Sequence, residues 1–246
     1  MSPGSVTSVV VPVVLVHGLR TSRTMWRYQT EALGRAGVPA VAVDLPGHGE
    51  RLAETFTLAG AVETVRAAID EVGPALVVGL SLGGYTAITH AARHPEQVLG
   101  LVAAGCSTRP APVLLNAWGL AARGIGHLPD RGAWLNQSLV DRTLPSSGAA
   151  DVGAGGYALD ATVPVLRAMR DARPLEDLAR VRAPVWIVNG GLDHFRGQER
   201  RFVDACADGR LVVVPGATHL VSVVAPVAFT RVVLEAVDEL AARDRQ

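Results

Sequence analysis

The sequence predicts an α/β fold, doubly wound around a mostly parallel sheet of about six strands, with a helical insertion before the penultimate strand. Three observations carry this reading. Short β-branched runs recur along the chain, helical patterns lie between them, and one connection is far too long for a simple crossover. The first run, Val9 to Val16, is broken by Pro12, so its strand-forming part is Val13 to Val16. A helical pattern from Trp26 to Ala36 follows, then a strand at Ala40 to Val43 and a second helix over Leu58 to Val72. The order repeats with a strand at Ala75 to Val78, a helix over Leu82 to Ala92 and a strand at Val98 to Ala103. Strand alternating with helix implies right-handed crossovers and parallel pairing.

Residues 107–182 then separate two strand runs, well beyond the length a crossover needs. Helical stretches near Val113 to Ala122, Arg131 to Arg142 and Ala161 to Ala172 fall inside this segment. So does a stretch rich in Ser, Gly and Ala, Pro145 to Gly156, which reads as a loose joint. The expected organisation is a core of residues 1–106 and 183–246 carrying a helical lid of residues 107–182. The core resumes with strands at Val185 to Val188 and Leu211 to Val214. It closes on an amphipathic helix starting at Pro226, with Phe229, Val233, Ala236, Val237 and Leu240 at helical spacing.

Composition narrows the function classes. Hydrophobic residues make up 49% and charged residues 19%, and 23 basic side chains balance 23 acidic ones. Such a chain buries a sizeable core and has no net charge to attract nucleic acid. All the basic residues are arginine, which reads as base-composition bias rather than a binding signal. Cys106 and Cys206 form neither a disulfide framework nor a metal motif and read as core thiols. No apolar run is long enough to span a bilayer and no basic leader precedes Val9, so a soluble cytoplasmic protein is expected, with no membrane or nucleic-acid partner. Neither a phosphate-binding Gly-Lys pattern nor a dinucleotide fingerprint is present, and no cofactor or metal is expected.

The chemistry is concentrated at Gly79-Leu80-Ser81-Leu82-Gly83-Gly84, directly after a strand and directly before a helix. This is the context of a nucleophile elbow, where small residues flank a serine held in strained geometry at the carboxyl edge of the sheet. A serine hydroxyl needs a base to take its proton and an acid to orient that base. His219 follows the last strand through Pro215 to Thr218, and Asp193 follows the strand Val185 to Val188, so both start from the same sheet edge as Ser81. Backbone donors for the developing oxyanion are expected at Leu82, opening the helix behind Ser81, and at Leu19 in the loop His17-Gly18-Leu19-Arg20. Glu199 and Asp204 are the local alternatives to Asp193 as the acid.

These motifs give the chain a resemblance to the α/β-hydrolase fold superfamily, in particular to its small, lid-bearing serine esterases. The matching pieces run in order along nearly the whole chain: His17-Gly18, Trp26, Asp44-Leu45-Pro46-Gly47-His48-Gly49, the elbow at Ser81, Gly190 to Asp193, and His219. The resemblance implies Ser81, Asp193 and His219 as the catalytic triad and Leu19 and Leu82 as oxyanion donors. The family usually begins with two further antiparallel strands. Only eight residues precede Val9, so a sheet trimmed to six strands is expected, with edge pairing and oligomeric state left open.

Other residues have plainer readings. His17, His48 and Asp44 read as organisers of their turns, His194 as a loop residue, Trp26 as packing, and His90, His94 and His127 as solvated or capping residues. Arg20, Cys106, Trp118, Trp134 and Met169 are candidates to line a partly apolar substrate pocket. The function expected is cleavage of a small or medium carboxylic ester or thioester through an acyl-enzyme. A carbon–carbon bond hydrolase using the same residues, and a ligand-binding or signalling protein that keeps the hydrolase shell, are the alternatives. Serine at the elbow argues against haloalkane dehalogenases and epoxide hydrolases of this fold, which place an aspartate there.

Overall fold

The computed structural model describes residues 10–243. Val9, the first residue of the opening apolar run, lies outside the described residues. Six parallel strands form one sheet in the order β2-β1-β3-β4-β5-β6. They are β1 (Val13–Val16), β2 (Ala40–Val43), β3 (Ala75–Leu80), β4 (Val98–Ala104), β5 (Val185–Gly190) and β6 (Gly209–Val214). Each begins within two residues of its predicted position; β3, β4 and β5 run one or two residues further at their carboxyl ends, toward the site, and β6 starts two residues earlier.

The helices of the core are α1 (Arg27–Arg35), α2 (Leu58–Val72) and α3 (Leu82–Arg93). The insertion holds α4 (Pro112–Gly126), α5 (Ala133–Thr143), α6 (Ser146–Ala154), α7 (Thr162–Ala168) and α8 (Pro174–Leu178). After β5 come α9 (Glu199–Asp204), α10 (Val221–Val224) and α11 (Pro226–Arg243). Among the described residues no helix is long and apolar enough to cross a membrane.

Alternation along the strands explains the three layers. On β1, Val14 and Val16 pack with Val65, Ile69 and Ile88 of α2 and α3, whereas Val13 and Leu15 face Trp26, Leu33 and Phe229 on the side of α1 and α11. All residues of β1, β3 and β5 are buried, as a sheet covered on both faces requires. Trp26 is fully buried with its ring 5.9 Å from that of Phe229, consistent with a packing residue. It closes a 3₁₀ turn, Arg23–Trp26, and the remainder of the predicted helical pattern follows directly as α1.

Two predicted features need correction. Pro145 to Gly156 is not a loose joint: it contains α6, tied to the core by Arg27 Nε donating to Asp151 Oδ1 at 2.5 Å and by Thr24 Oγ1 donating to the Asp151 carbonyl at 2.6 Å. His90 is neither solvated nor a cap, because its position on the inner face of α3 leaves it completely buried, stacked on His94 at 5.1 Å. His94 and His127 do follow the last turns of α3 and α4.

Candidate active site

The sheet order reverses on either side of β1, with β2 to one side and β3 to the other. The carboxyl edge at such a switch point forms a crevice, because the connections leave in opposite directions. Ser81 sits there, between β3 and α3, with φ 55° and ψ −114°. Few non-glycine residues adopt this region, and the surroundings dictate it. The Ser81 N–H donates to the Ala104 carbonyl at 2.7 Å, and its carbonyl accepts from the Tyr85 N–H at 3.1 Å. The turn is so tight that a Cβ at Gly79 would fall on the Gly83 carbonyl, and one at Gly83 on the carbonyl oxygen of Val16. Glycine is required at both.

His219 and Asp193 arrive on neighbouring loops laced together by backbone bonds. Gly191 N–H donates to the Val214 carbonyl at 2.8 Å and Leu192 N–H to the Ala217 carbonyl at 2.9 Å. The result brings three distant parts of the chain into one line. His219 Nε2 is 3.0 Å from Ser81 Oγ, and its Nδ1 is 3.1 Å and 3.2 Å from the two oxygens of Asp193. These partners fix the tautomer: Nδ1–H donates to the carboxylate, leaving Nε2 to accept from the serine hydroxyl. The Asp193 side chain is wholly buried. Burial pushes its carboxyl up, but the hydrogen bond and charge of His219 and the Phe195 N–H, 2.8 Å away, together hold it below the ordinary aspartate value. Glu199 is instead engaged by Arg196 and Asn189, and no contact joins either it or Asp204 to His219 among the described residues.

Leu82 provides the first amide of α3, which has no partner within the helix and lies at its positive end. Leu19 stands across from it: both border the same cavity as Ser81, and a Cβ at the preceding Gly18 would lie 3.6 Å from that of Ser81. The loop carrying Leu19 is pinned by His17, whose Nδ1 donates to the Gly18 carbonyl at 2.8 Å while Nε2 accepts from the Leu45 N–H at 3.0 Å. Burial, with His48 5.0 Å away ring to ring, lowers the His17 pKa to about 3, so it is a neutral brace. Asp44 is likewise local, accepting from the backbone N–H groups of Arg23 and Glu50.

Two spaces open at Ser81. One, of about 80 Å³, is an apolar slot with Leu115, Val165 and Met169 among its walls. The other, of about 380 Å³, is a more open trough bordered by Arg20, Ile125, Leu166 and His219. Trp118 and Phe195 border both, their rings edge to face at 5.4 Å. Arg20, Trp118 and Met169 border these spaces. Cys106 and Trp134 do not. Cys106 is fully buried against Gly84, its thiol pushed up by burial and by the charge of Asp193, and Trp134 lies on the exposed side of α5, where nothing folds over it. Sequence reasoning missed Phe195, whose ring sits 4.8 Å from that of His219. Its only signal was its place two residues after Asp193. His194 also stacks near His219, at 5.2 Å, but its side chain is largely exposed. Among the described residues no group of three or more His, Cys, Asp or Glu is placed to hold a metal ion.

Comparison with known proteins agrees with this architecture. The chain is 32% identical over 213 residues to the pimeloyl-(acyl-carrier protein) methyl ester esterase of Neisseria meningitidis serogroup C, covering 77% of this chain and 78% of that one. It is 30% identical over 244 residues to the enzyme of the same name from Edwardsiella ictaluri, covering 92% and 93%. A carboxylesterase structure from Nitrososphaera gargenis superposes with a TM-score of 0.80 over 96% of this chain and 93% of that one, which at 17% identity shows the fold alone. Residues 13–232 match the alpha/beta hydrolase family profile, and with relatives at this identity and coverage the chain belongs to that family.

Proposed function

We propose that this chain is a serine hydrolase that cleaves a small or medium carboxylic ester or thioester through an acyl-enzyme. The observation that carries the reading is the continuous line from Ser81 Oγ through His219 to the buried Asp193, with separations of 3.0 and 3.1 Å. Ser81 Oγ attacks the carbonyl carbon while His219 Nε2 takes its proton. Asp193 stabilises the imidazolium so formed. The tetrahedral oxygen is met by the Leu82 and Leu19 N–H groups, donors fixed in place before the reaction begins. Collapse of the intermediate breaks the ester bond as His219 returns the proton to the leaving alcohol or thiol, and a water repeats the sequence on the acyl-enzyme.

The insertion 107–182 acts as a lid in this reading, since α4 and α7 contribute Leu115, Trp118, Val165 and Leu166 above Ser81. The apolar slot suits a short hydrocarbon acyl or alcohol group. Relatives named as methyl ester esterases support an ester as the substrate. Ser81→Ala should lower kcat on a chromogenic short-chain ester by about 10⁴- to 10⁶-fold. Intact mass after exposure to a fluorophosphonate should show one adduct on the wild type and none on the variant. Equal turnover by the two proteins rejects the assignment, and a wild type that is neither labelled nor active favours a binding role.

A further inference from the structure

Arg20 is partly buried without a carboxylate partner, whereas other arginines outside the ion pairs, such as Arg93, Arg109 and Arg123, are exposed. Arg23, Arg27, Arg66 and Arg196 each face a carboxylate, whereas among the described residues no carboxylate lies within 4.0 Å of the Arg20 guanidinium. Its Nε donates to Thr162 Oγ1 at 3.0 Å, and that hydroxyl is itself anchored on the Leu159 carbonyl at 2.9 Å. The terminal nitrogens have no protein partner among the described residues. Arg20 is half-buried, and its backbone is held at φ 65°, a conformation that costs energy in a non-glycine residue. Burial alone pulls its pKa below the ordinary arginine value.

The location gives these facts a direction. Arg20 borders the trough containing Ser81 and His219, and it also borders an adjoining space of about 370 Å³ lined by Arg123 and Arg131. The one acidic residue in that second space, Asp160, is engaged by Arg131. A molecule whose ester carbonyl lies at Ser81 therefore meets an unpaired, pre-oriented guanidinium and then a largely apolar recess in which Arg131 and Asp160 cancel and Arg123 leaves one further positive charge. A half-buried cation with both terminal nitrogens to spare is the group that binds a carboxylate or phosphate in a forked geometry.

We propose that Arg20 makes the site selective for esters that carry a second, anionic group, a carboxylate or a phosphate, bound by its terminal nitrogens while the ester carbonyl sits at Ser81. This inference rests on the ester-hydrolase reading. Its test compares kcat/KM for monomethyl adipate with dimethyl adipate, and for methyl 6-(phosphonooxy)hexanoate with methyl 6-hydroxyhexanoate. The wild type should favour the anionic member of at least one pair. Arg20→Gln should reduce that preference by about 10- to 100-fold, chiefly through KM, as loss of hydrogen bonds to a charged group does. Arg20→Lys should retain part of it. The pair that responds identifies the anion.

An anionic-to-neutral ratio unchanged between the wild type and Arg20→Gln in both pairs overturns the proposal while leaving the hydrolase reading intact. If no ester is turned over, the hydrolase reading fails, and calorimetric titration with adipate and with inorganic phosphate still decides the site. Binding lost in Arg20→Gln supports the anion site. Binding that is absent, or equal in the two proteins, removes it.

Discussion

The buried histidines illustrate how much a single side chain depends on where its nitrogens find partners. His17 has both nitrogens engaged by backbone and braces the loop of Leu19, and protonation would force it to give up the Leu45 N–H. Neither ring nitrogen of His90 meets good hydrogen-bond geometry among the described residues, and burial together with neighbouring His94 outweighs the weak pull of the Val62 backbone and lowers its pKa to about 4. In both cases the folded value lies below the unfolded value near 6.5, so the unfolded chain binds the extra proton first. Stability contributed by the neutral form is complete above about pH 6.5. It is lost as pH falls toward 4 for His90 and toward 3 for His17. The urea midpoint should therefore drop between pH 7.5 and pH 5. His90→Leu should shrink that drop and raise stability at pH 7.5 by about 1 kcal/mol, because it removes unsatisfied buried polar atoms at similar volume. An unchanged pH dependence in the variant would show that His90 does not titrate with unfolding. Phe195 is the residue-scale lesson about legibility: nothing in the run Asp193-His194-Phe195 distinguishes a loop aromatic from one that covers the base, because the contact depends on a turn that only tertiary packing defines.

Among the elements, those with one dominant physical cause were legible in the sequence. β-Branched runs became the six strands, and α2 spans the predicted Leu58 to Val72 because its apolar stripe and its Thr57 cap agree, Thr57 Oγ1 accepting from the Gly60 N–H at 3.0 Å. The elbow was legible because only small residues permit its approach to β1. α6 was not, because its Ser, Gly and Ala residues have weak local preference and its stability comes from Asp151, buried Val152 and the close seating of Gly148 on Val223. The same contrast predicts opposite outcomes for one substitution in two helices. Gly83→Ala in α3 drives a methyl into the Val16 carbonyl and should destabilise the fold by about 3 kcal/mol. Gly119→Ala in α4 meets no atom within 4 Å and should stabilise by up to about 1 kcal/mol, through helix propensity. Denaturant titration of the two variants checks the pair, and equal effects would mean that the close approach of α3 to β1 does not constrain the fold.

For the whole molecule, burial is distributed unevenly, and that inequality predicts which parts open. β3 and β5 are buried throughout and α3 nearly so, whereas α4 buries only Leu115 and α5 buries no residue at all. Val113, Leu120 and Trp134 are 82%, 71% and 70% exposed, so much of the apolar surface on these two helices contributes little to stability. Fifteen- and eleven-residue helices without such burial are marginal on their own. Their opening free energy should lie far below that of β3 and β4, which have a strand on each side and are buried almost throughout. Amide hydrogen exchange should accordingly be complete across residues 112–143 long before β3 and β4 begin to exchange, with α6 intermediate because Arg27 and Thr24 tie it to the core. Since α4 also carries Leu115 and Trp118 over Ser81, a covalent phosphonate on Ser81 that fills the apolar slot should slow exchange in α4 more than in α5. Exchange in α4 as slow as in β3 before labelling would show a rigid roof, and substrate would then have to enter through the open trough past Arg20 rather than by displacement of α4.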